Sequence, residues 1–331
     1  MLISSSPILV TGVAGFIGYS LTLHLLKQGM SVIGIDNIND YYDVSLKQAR
    51  LRKLKDFPHF TFYQANISDR DRIQQIWDAH PSILQIVHLA AQAGVRYSLM
   101  NPFAYIEANI VGHMVILELA RQRKGFQHFI YASSSSVYGS NTKLPFSVED
   151  HCDTPISLYA ATKKADELMT HSYAHLYHIP STGLRFFTVY GPWGRPDMAA
   201  FLFTKAIVDN QPIQVFNQGK MKRDFTYIDD IIKGIMGALN APPSRDTVDP
   251  PHKIYNLGNN KSEKLIDFIK SIEQTLGKKA ILEMLPLQAG DVPESLADIT
   301  TSEQDLNYSP TTPISHGIPK FVEWYKEYYN V

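Results

Sequence analysis

Three glycines, Gly12, Gly15 and Gly18, sit at a regular spacing between an apolar run and a stretch of helical periodicity, and few folds accept that arrangement. Residues 8–11, Ile-Leu-Val-Thr, read as a buried strand. Residues 16–28 have helical spacing and stop at Gly29. Glycine permits a tight turn between the two and lets backbone N–H groups approach a diphosphate, whose charge the helix N-terminus favours. Asp36 closes a second strand, 31–36. A carboxylate there accepts hydrogen bonds from a ribose diol and repels a 2′-phosphate, which predicts a site for NAD rather than NADP. Glycines alone would indicate only a tight turn. Strand, helix and acid in this order carry the dinucleotide reading.

Further short strands are expected at 60–65, 83–89 and 126–133, with helices at 70–80 and 105–123. Strands alternating with helices predict a parallel sheet covered on both faces. After Thr188 prolines and glycines crowd in at 191–196, and the loop 241–252 holds four prolines and is expected to be exposed. Residues 320–329 form an aromatic helix in which Phe321, Trp324, Tyr325 and Tyr328 share a core-facing spacing. The expected fold class is α/β: a Rossmann-type doubly wound parallel sheet with a smaller α/β C-terminal lobe for substrate.

Net charge is −1, so no basic surplus calls for a nucleic acid or an anionic membrane. The apolar stretch 8–26 contains Thr11, Gly12, Gly15, Gly18, Ser20, Thr22 and His24, which argues against a lipid-buried helix. No basic region opens the chain as in a signal peptide. A single cysteine, Cys152, cannot form an intramolecular disulfide and fits a reducing compartment. A cytoplasmic protein is expected. The twelve histidines show no HxH or HExxH grouping, so no metal is expected.

Tyr159 and Lys163 stand four apart in a segment rich in helix formers, with Ser157 as candidate N-cap. A phenol that works as a base near neutral pH needs its phenolate stabilised by roughly 4 kcal/mol. A nearby ammonium and a positive nicotinamide ring each supply part of that. The run Ser133–Ser136 ends the expected fifth strand, where a parallel sheet places its ligands. A hydroxyl there hands a proton to the tyrosine or holds a sugar oxygen.

Four segments extend the pattern: His88-Leu-Ala-Ala-Gln-Ala-Gly-Val-Arg-Tyr-Ser98, Tyr131-Ala-Ser-Ser-Ser-Ser-Val-Tyr-Gly139, Leu184-Arg-Phe-Phe-Thr-Val-Tyr-Gly-Pro-Trp-Gly-Arg-Pro-Asp-Met198 and Arg223-Asp-Phe-Thr-Tyr-Ile-Asp-Asp230. With them the chain resembles the extended short-chain dehydrogenase/reductase family over nearly its whole length, and within it the UDP-glucuronate 4-epimerases of bacteria and plants. The resemblance implies an NAD-binding domain at 1–188 and about 224–256, and a UDP-sugar-binding lobe at 189–223 and about 257–331. It implies a catalytic trio of Ser134, Tyr159 and Lys163. It implies cofactor contacts at Gly12, Gly15, Phe16, Ile17, Gly18, Asp36, Asn37, Asn66, Ile67, Leu89, Ala90, Ala91 and Lys163, with Asn66 standing where aspartate is usual. Substrate contacts are implied at Arg96, Ser135, Ser136, Thr188, Arg195, Phe216 and Arg223. Two arginines in proline- and glycine-rich segments suit a diphosphate.

The implied reaction is oxidation at C4 of a UDP-sugar, rotation of the 4-keto sugar and re-reduction on its other face. A C4 ketone is β to a C6 carboxylate, and β-keto acids lose carbon dioxide. Ser135, Ser136 and Thr188, with Arg96, are therefore expected to hold the carboxylate. Related decarboxylases carry a glutamate just before the Val-Tyr-Gly, and dehydratases an Asp-Glu pair; here the slot holds Ser135-Ser136. The alternatives are 4-epimerisation of UDP-galactose or a UDP-N-acetylhexosamine, decarboxylation of UDP-glucuronate, or an inactive NAD-binding scaffold. The resemblance also implies a homodimer that pairs the helices 105–123 and 159–177. His88 is expected to pack at a strand end, and Asn109 either touches cofactor or packs a helix.

Overall fold

The structure is a computed structural model, and it describes residues 6–288 and 291–331. The chain divides into two compact units: 1–140, 151–185 and 235–255 form one, and 141–150, 186–234 and 256–331 form the other.

In chain order the first unit begins with β1 (Ile8–Thr11), α1 (Phe16–Lys27), β2 (Val32–Asp36), α2 (Val44–Lys55), β3 (Phe60–Gln64), α3 (Arg70–Ala79) and β4 (Gln85–His88). Two short helices, α4 (Tyr97–Met100) and α5 (Pro102–Tyr105), lead into a π-helical turn (Ile106–Gly112) and α6 (His113–Gln122). β5 (His128–Ser134), a 3₁₀ turn (Ser135–Tyr138), α7 (Leu158–Tyr177) and β6 (Ser181–Phe186) follow. Then come β7 (Thr188–Tyr190), α8 (Ala199–Val208), β8 (Pro212–Val215), β9 (Lys222–Tyr227), α9 (Ile228–Asn240), β10 (His252–Leu257), β11 (Ser262–Lys264), α10 (Leu265–Leu276), β12 (Ile281–Met284), α11 (Thr300–Leu306) and α12 (Ile314–Tyr329).

The seven-stranded sheet runs β10-β6-β5-β4-β1-β2-β3, and the pairs β3–β2, β2–β1, β1–β4 and β4–β5 are parallel. This is the doubly wound order, in which the strand order, not the strand direction, reverses between β1 and β4, and ligands bind beyond the strands' carboxyl ends. β1 and β2 are buried at every residue, as strands covered on both faces must be. Ile33, Ile35, Ile73, Ile76, Trp77, Ile86, Ile116, Leu117 and Phe129 belong to one continuous core beside them.

The second unit carries a three-stranded sheet, β11-β9-β7, and a parallel pair, β12-β8. Phe321, Trp324 and Tyr325 of α12 are buried as the spacing predicts, while Tyr328 is half-buried. Phe201 of α8 meets Phe321 and Tyr325 at ring distances of 6.5 and 5.2 Å.

Helix 105–123 is not one regular α-helix. Its first part widens into the π turn, and there Asn109 is buried, accepting from Gln92 N at 2.8 Å and donating to Gln92 O and to Thr162 Oγ1. Hydrophobic periodicity does not distinguish a local i→i+5 ladder from the ordinary one. The run 102–122 is long and apolar enough to cross a membrane by length and composition, but half of its most apolar window is buried inside the protein.

Candidate active site

The glycine turn follows β1. Gly12 adopts a φ of +78° and its carbonyl accepts from Gly15 N at 3.0 Å. A Cβ on Gly18 would lie 2.0 Å from that same carbonyl oxygen, and one on Gly12 2.8 Å from Ala90 N. Backbone therefore packs on backbone, and only hydrogen fits. Gly15 caps α1 without a side-chain hydrogen bond, and no acid stands in its first turn. The leading N–H groups, at Phe16, Ile17 and Gly18, are thus left to the helix dipole and to an anion.

Asp36 ends β2, buried, and accepts from Ala14 N at 3.0 Å and Ile38 N at 2.8 Å. Both carboxylate oxygens are oriented by backbone, and Asn37 beside it is exposed. Asn66 and Ile67 follow β3. The Asn66 amide donates to Glu107 Oε1 at 2.9 Å, and Ile67 is buried against Gly112. Leu89, Ala90 and Ala91 follow β4. Ala90 N donates to Thr11 Oγ1 at 3.1 Å, and Thr11 is 2.7 Å from His88 Nδ1. Burial, then the Lys163 charge, pushes His88 down to about 3, so it is a neutral brace at the strand end. The sequence-predicted cofactor residues other than Lys163, which stands on α7, thus follow the carboxyl ends of four adjacent strands. A bare helix terminus for a diphosphate and an oriented carboxylate for a ribose fit a dinucleotide.

Ser134 ends β5. Its Oγ accepts from Ser136 N at 3.1 Å, which caps the 3₁₀ turn, and donates to Ser136 Oγ at 3.1 Å. Ser135 and Ser136 are half-buried. Ser157 caps α7 by accepting from Ala160 N at 3.1 Å. Tyr159 and Lys163 then stand one turn apart on that helix. Tyr159 is half-buried, with Tyr105 edge-on at a ring distance of 6.0 Å. Tyr105 Oη donates to Gly94 O at 2.5 Å and reaches Ala93 O at 3.0 Å, fixing the segment that leads to the exposed Arg96.

Three groups of this site escaped sequence reasoning. Lys163 is paired with Asp166, Nζ to Oδ2 at 2.9 Å, with side chains 4% and 1% exposed. Glu167 takes hydrogen bonds from Arg185 Nε and Nη2 at 2.8 and 2.9 Å and from Ser133 Oγ at 2.6 Å. Burial pushes Glu167 up, and the Arg185 bonds and charge with the Ser133 bond outweigh it and hold the carboxyl below its usual range. Tyr105 is the third. The acids at positions 166 and 167 were visible beside Lys163, but their partners were not.

The remaining sequence-predicted residues belong to the second unit. Thr188 opens β7, paired with Phe225. Arg195 is clamped by Asp197, Nε to Oδ1 at 3.0 Å and Nη2 to Oδ2 at 2.5 Å. Arg223 Nη1 donates to Lys222 O at 2.9 Å, and Phe216 is half-buried. Among the described residues no cluster of three His, Cys, Asp or Glu side chains is arranged to hold a metal.

The model of the NAD dependent epimerase/dehydratase family matches residues 8–258. Protein CapI of Staphylococcus aureus is 52% identical, over 97% of this chain and 99% of that protein. UDP-glucuronate 4-epimerase 4 of Arabidopsis thaliana is 44% identical, over 98% of this chain and 76% of that protein. The crystal structure of UDP-glucuronic acid 4-epimerase from Bacillus cereus in complex with UDP-glucuronic acid and NAD is similar at a TM-score of 0.88 and 34% identity, over 98% of this chain and 100% of that one.

Proposed function

Because the chain belongs to the NAD dependent epimerase/dehydratase family, we propose that it interconverts UDP-glucuronate and UDP-galacturonate by inverting C4 of the sugar. The observation that carries the reading is the 3₁₀ turn after β5, which offers serine hydroxyls at 134, 135 and 136 and no carboxylate. An acid there would serve elimination or decarboxylation; hydroxyls serve to hold an acid sugar.

NAD, when bound, supplies the hydride acceptor and donor for C4. Tyr159 takes the proton from the C4 hydroxyl and later returns it. Ser134 holds the same oxygen, its own Oγ kept in position by the bond it accepts from Ser136 N. Lys163 contributes the positive charge that stabilises the phenolate. Gly12, Gly15, Phe16, Ile17 and Gly18 receive the diphosphate, Asp36 and Asn37 the adenosine ribose, Asn66 and Ile67 the adenine, and Leu89, Ala90 and Ala91 line the path along β4. Ser135, Ser136 and Arg96 hold the sugar acid. Thr188, Arg195, Phe216 and Arg223 are the second unit's contacts to the UDP-sugar. Arg195 meets a diphosphate by exchanging the Asp197 carboxylate for phosphate oxygens, the same planar bidentate geometry. The protein is read as a cytoplasmic enzyme of polysaccharide precursor synthesis.

The homodimer has its own support. Leu99, Met100, Phe103, Ile106 and Val111 are exposed, Phe103 by 82%, and so are Leu168, Leu176 and Tyr177 of α7, onto which α5 and α6 pack. Exposed apolar side chains gathered on packed helices in this way suit an interface. A second copy presenting the same face covers it about a two-fold axis.

The test is to incubate purified protein with UDP-glucuronate, without added NAD, and identify the sugar by NMR. UDP-galacturonate is expected. UDP-xylose as the sole product, or no turnover with NAD supplied, overturns the reading.

A further inference from the structure

We propose that Asp166 is a positioning residue for the reaction: its carboxylate pairs with the buried Lys163 ammonium and holds it in place on the helix face shared with Tyr159. The inference rests on the roles given above to Lys163 and Tyr159.

Lys163 has almost no contact with solvent, and a buried ammonium is costly unless an opposite charge stands close. Asp166 is that charge, three residues on along α7 and 2.9 Å away. Its own position is fixed by Thr170 Oγ1, which donates to the Asp166 carbonyl at 2.8 Å and is itself 2.8 Å from His113 Nε2.

The other groups around the pair offer no substitute. On α7, Glu167 is engaged by Arg185 from β6 and by Ser133. On α6, His113 faces Asp166 Oδ1 at 3.9 Å, beyond hydrogen-bond reach, and neither atom has a hydrogen-bond partner. Burial, together with the Lys163 charge, holds His113 well below the usual histidine range, so it is neutral. On β5, burial drives Tyr131 well above the usual phenol range, so it is neutral too. His88 on β4 is neutral as described. The Asp166 carboxylate is thus the countercharge at hydrogen-bond distance from Lys163, committed through one oxygen. Burial pushes its own titration up to about 6 despite the lysine, so the pairing weakens in mild acid.

Removing the carboxylate has two consequences of one direction. An unpartnered buried ammonium gives up its proton more readily, and while it keeps the proton its uncancelled charge draws more strongly on the phenolate. In the Asp166→Asn holoenzyme both limbs of the pH profile of kcat for UDP-glucuronate are therefore expected to move to lower pH by about one unit or more. A second readout needs no turnover. The near-ultraviolet phenolate absorbance, taken as the difference between a protein and its Tyr159→Phe counterpart, should rise at correspondingly lower pH once Asp166→Asn is introduced. His113→Gln, which disturbs packing but removes no charge, should leave both in place. Where the asparagine variant is not recovered folded, Asp166→Ser carries the same measurements. Unmoved limbs and an unmoved phenolate titration, with only kcat or melting temperature reduced, overturn the inference. If the wild-type protein turns over no UDP-sugar but the phenolate titration moves as described, the functional reading fails and the pair stands.

Discussion

Arg185 closes two hydrogen bonds of 2.8 and 2.9 Å on Glu167, with both side chains about as deep in the first unit as side chains go. The same carboxylate takes a bond from Ser133, directly before Ser134. The pair therefore anchors the end of β5 to α7, the two elements that carry Ser134 and Tyr159. Glu167→Gln keeps the shape and leaves a buried guanidinium without its countercharge. Losing one partner of a buried pair costs about 3–5 kcal/mol. A fall of that size in the free energy of unfolding, measured by urea titration, is expected. A variant as stable as the parent would mean that the pair contributes no net stability.

Gly18→Ala tests the glycine turn by one methyl group. The new Cβ would stand 2.0 Å from the Gly12 carbonyl oxygen, a backbone atom that cannot rotate away. The start of α1 must retreat from β1, and the N–H groups proposed for the diphosphate retreat with it. NAD co-purifying with the protein, quantified by absorbance after acid release, is expected to fall below one part in ten of wild type (about 1.4 kcal/mol). Retention of a full equivalent would show that the turn does not hold the cofactor.

How much was legible beforehand follows from where each constraint acts. Gly12, Gly15, Gly18 and Asp36 were legible because tight turns and strand ends place local demands on residue type, and the Ser157 cap was legible for the same reason. The Tyr159 and Lys163 spacing was legible because helical neighbours are neighbours in sequence. Glu167 and Arg185 lie 18 residues apart, and Asn66 and Glu107 41 apart. Only the wound sheet brings such partners together, and hydrophobic period carries no trace of them. The π turn was hidden because Asn109 sits in an unremarkable apolar stretch, and its buried bonds to Gln92 and Thr162 depend on the folded chain. The Arg195–Asp197 clamp lies two residues apart, yet only backbone geometry decides that the two side chains meet.

Ser136 bears on product choice. It is half-buried in the turn after β5, bonded to Ser134 through both backbone and side chain. If its hydroxyl helps to hold the sugar carboxylate, Ser136→Ala loosens the group that a β-keto acid must not lose. UDP-xylose, expected to be scarce among the wild-type products, should become a measurable share of product by NMR, with kcat for epimerisation down about ten-fold (one lost charge-assisted hydrogen bond). An unchanged product ratio would remove Ser136 from this role.

The apolar face predicts an assembly state. Phe103 and Leu176 are exposed by 82% and 63% on neighbouring helices of the first unit. Placing Asp at both, Phe103→Asp with Leu176→Asp, sets like charges across any two-fold pairing of that face. Sedimentation velocity should show twice the chain mass for the wild type and the chain mass for the double variant. A wild type that sediments as a monomer at micromolar concentration would leave this face without its proposed partner.

Acid should unfold the protein earlier than carboxylate protonation alone would. Burial pushes His88 and His128 down to about 3 and His252 to about 4, and His113 well below the usual range. In the unfolded chain each titrates near 6.5. As pH falls below about 6.5 the unfolded state therefore binds protons that the native state refuses, and stability drops. Asp166 and Asp224 run the other way. Burial pushes both up to about 6, so the native state takes their protons first and stability is regained as pH falls from about 6 towards 4. Four histidines against two aspartates leave a net uptake of about two protons on unfolding near pH 5, a slope of about 2.7 kcal/mol per pH unit. His128→Asn removes one histidine from the balance, at a site where the ring is fully buried and 2.8 Å from Thr182 Oγ1. Its slope, from denaturation midpoints measured between about pH 4.5 and 6, should fall by about half. Parallel curves for the two proteins would show that His128 is protonated to the same extent folded and unfolded.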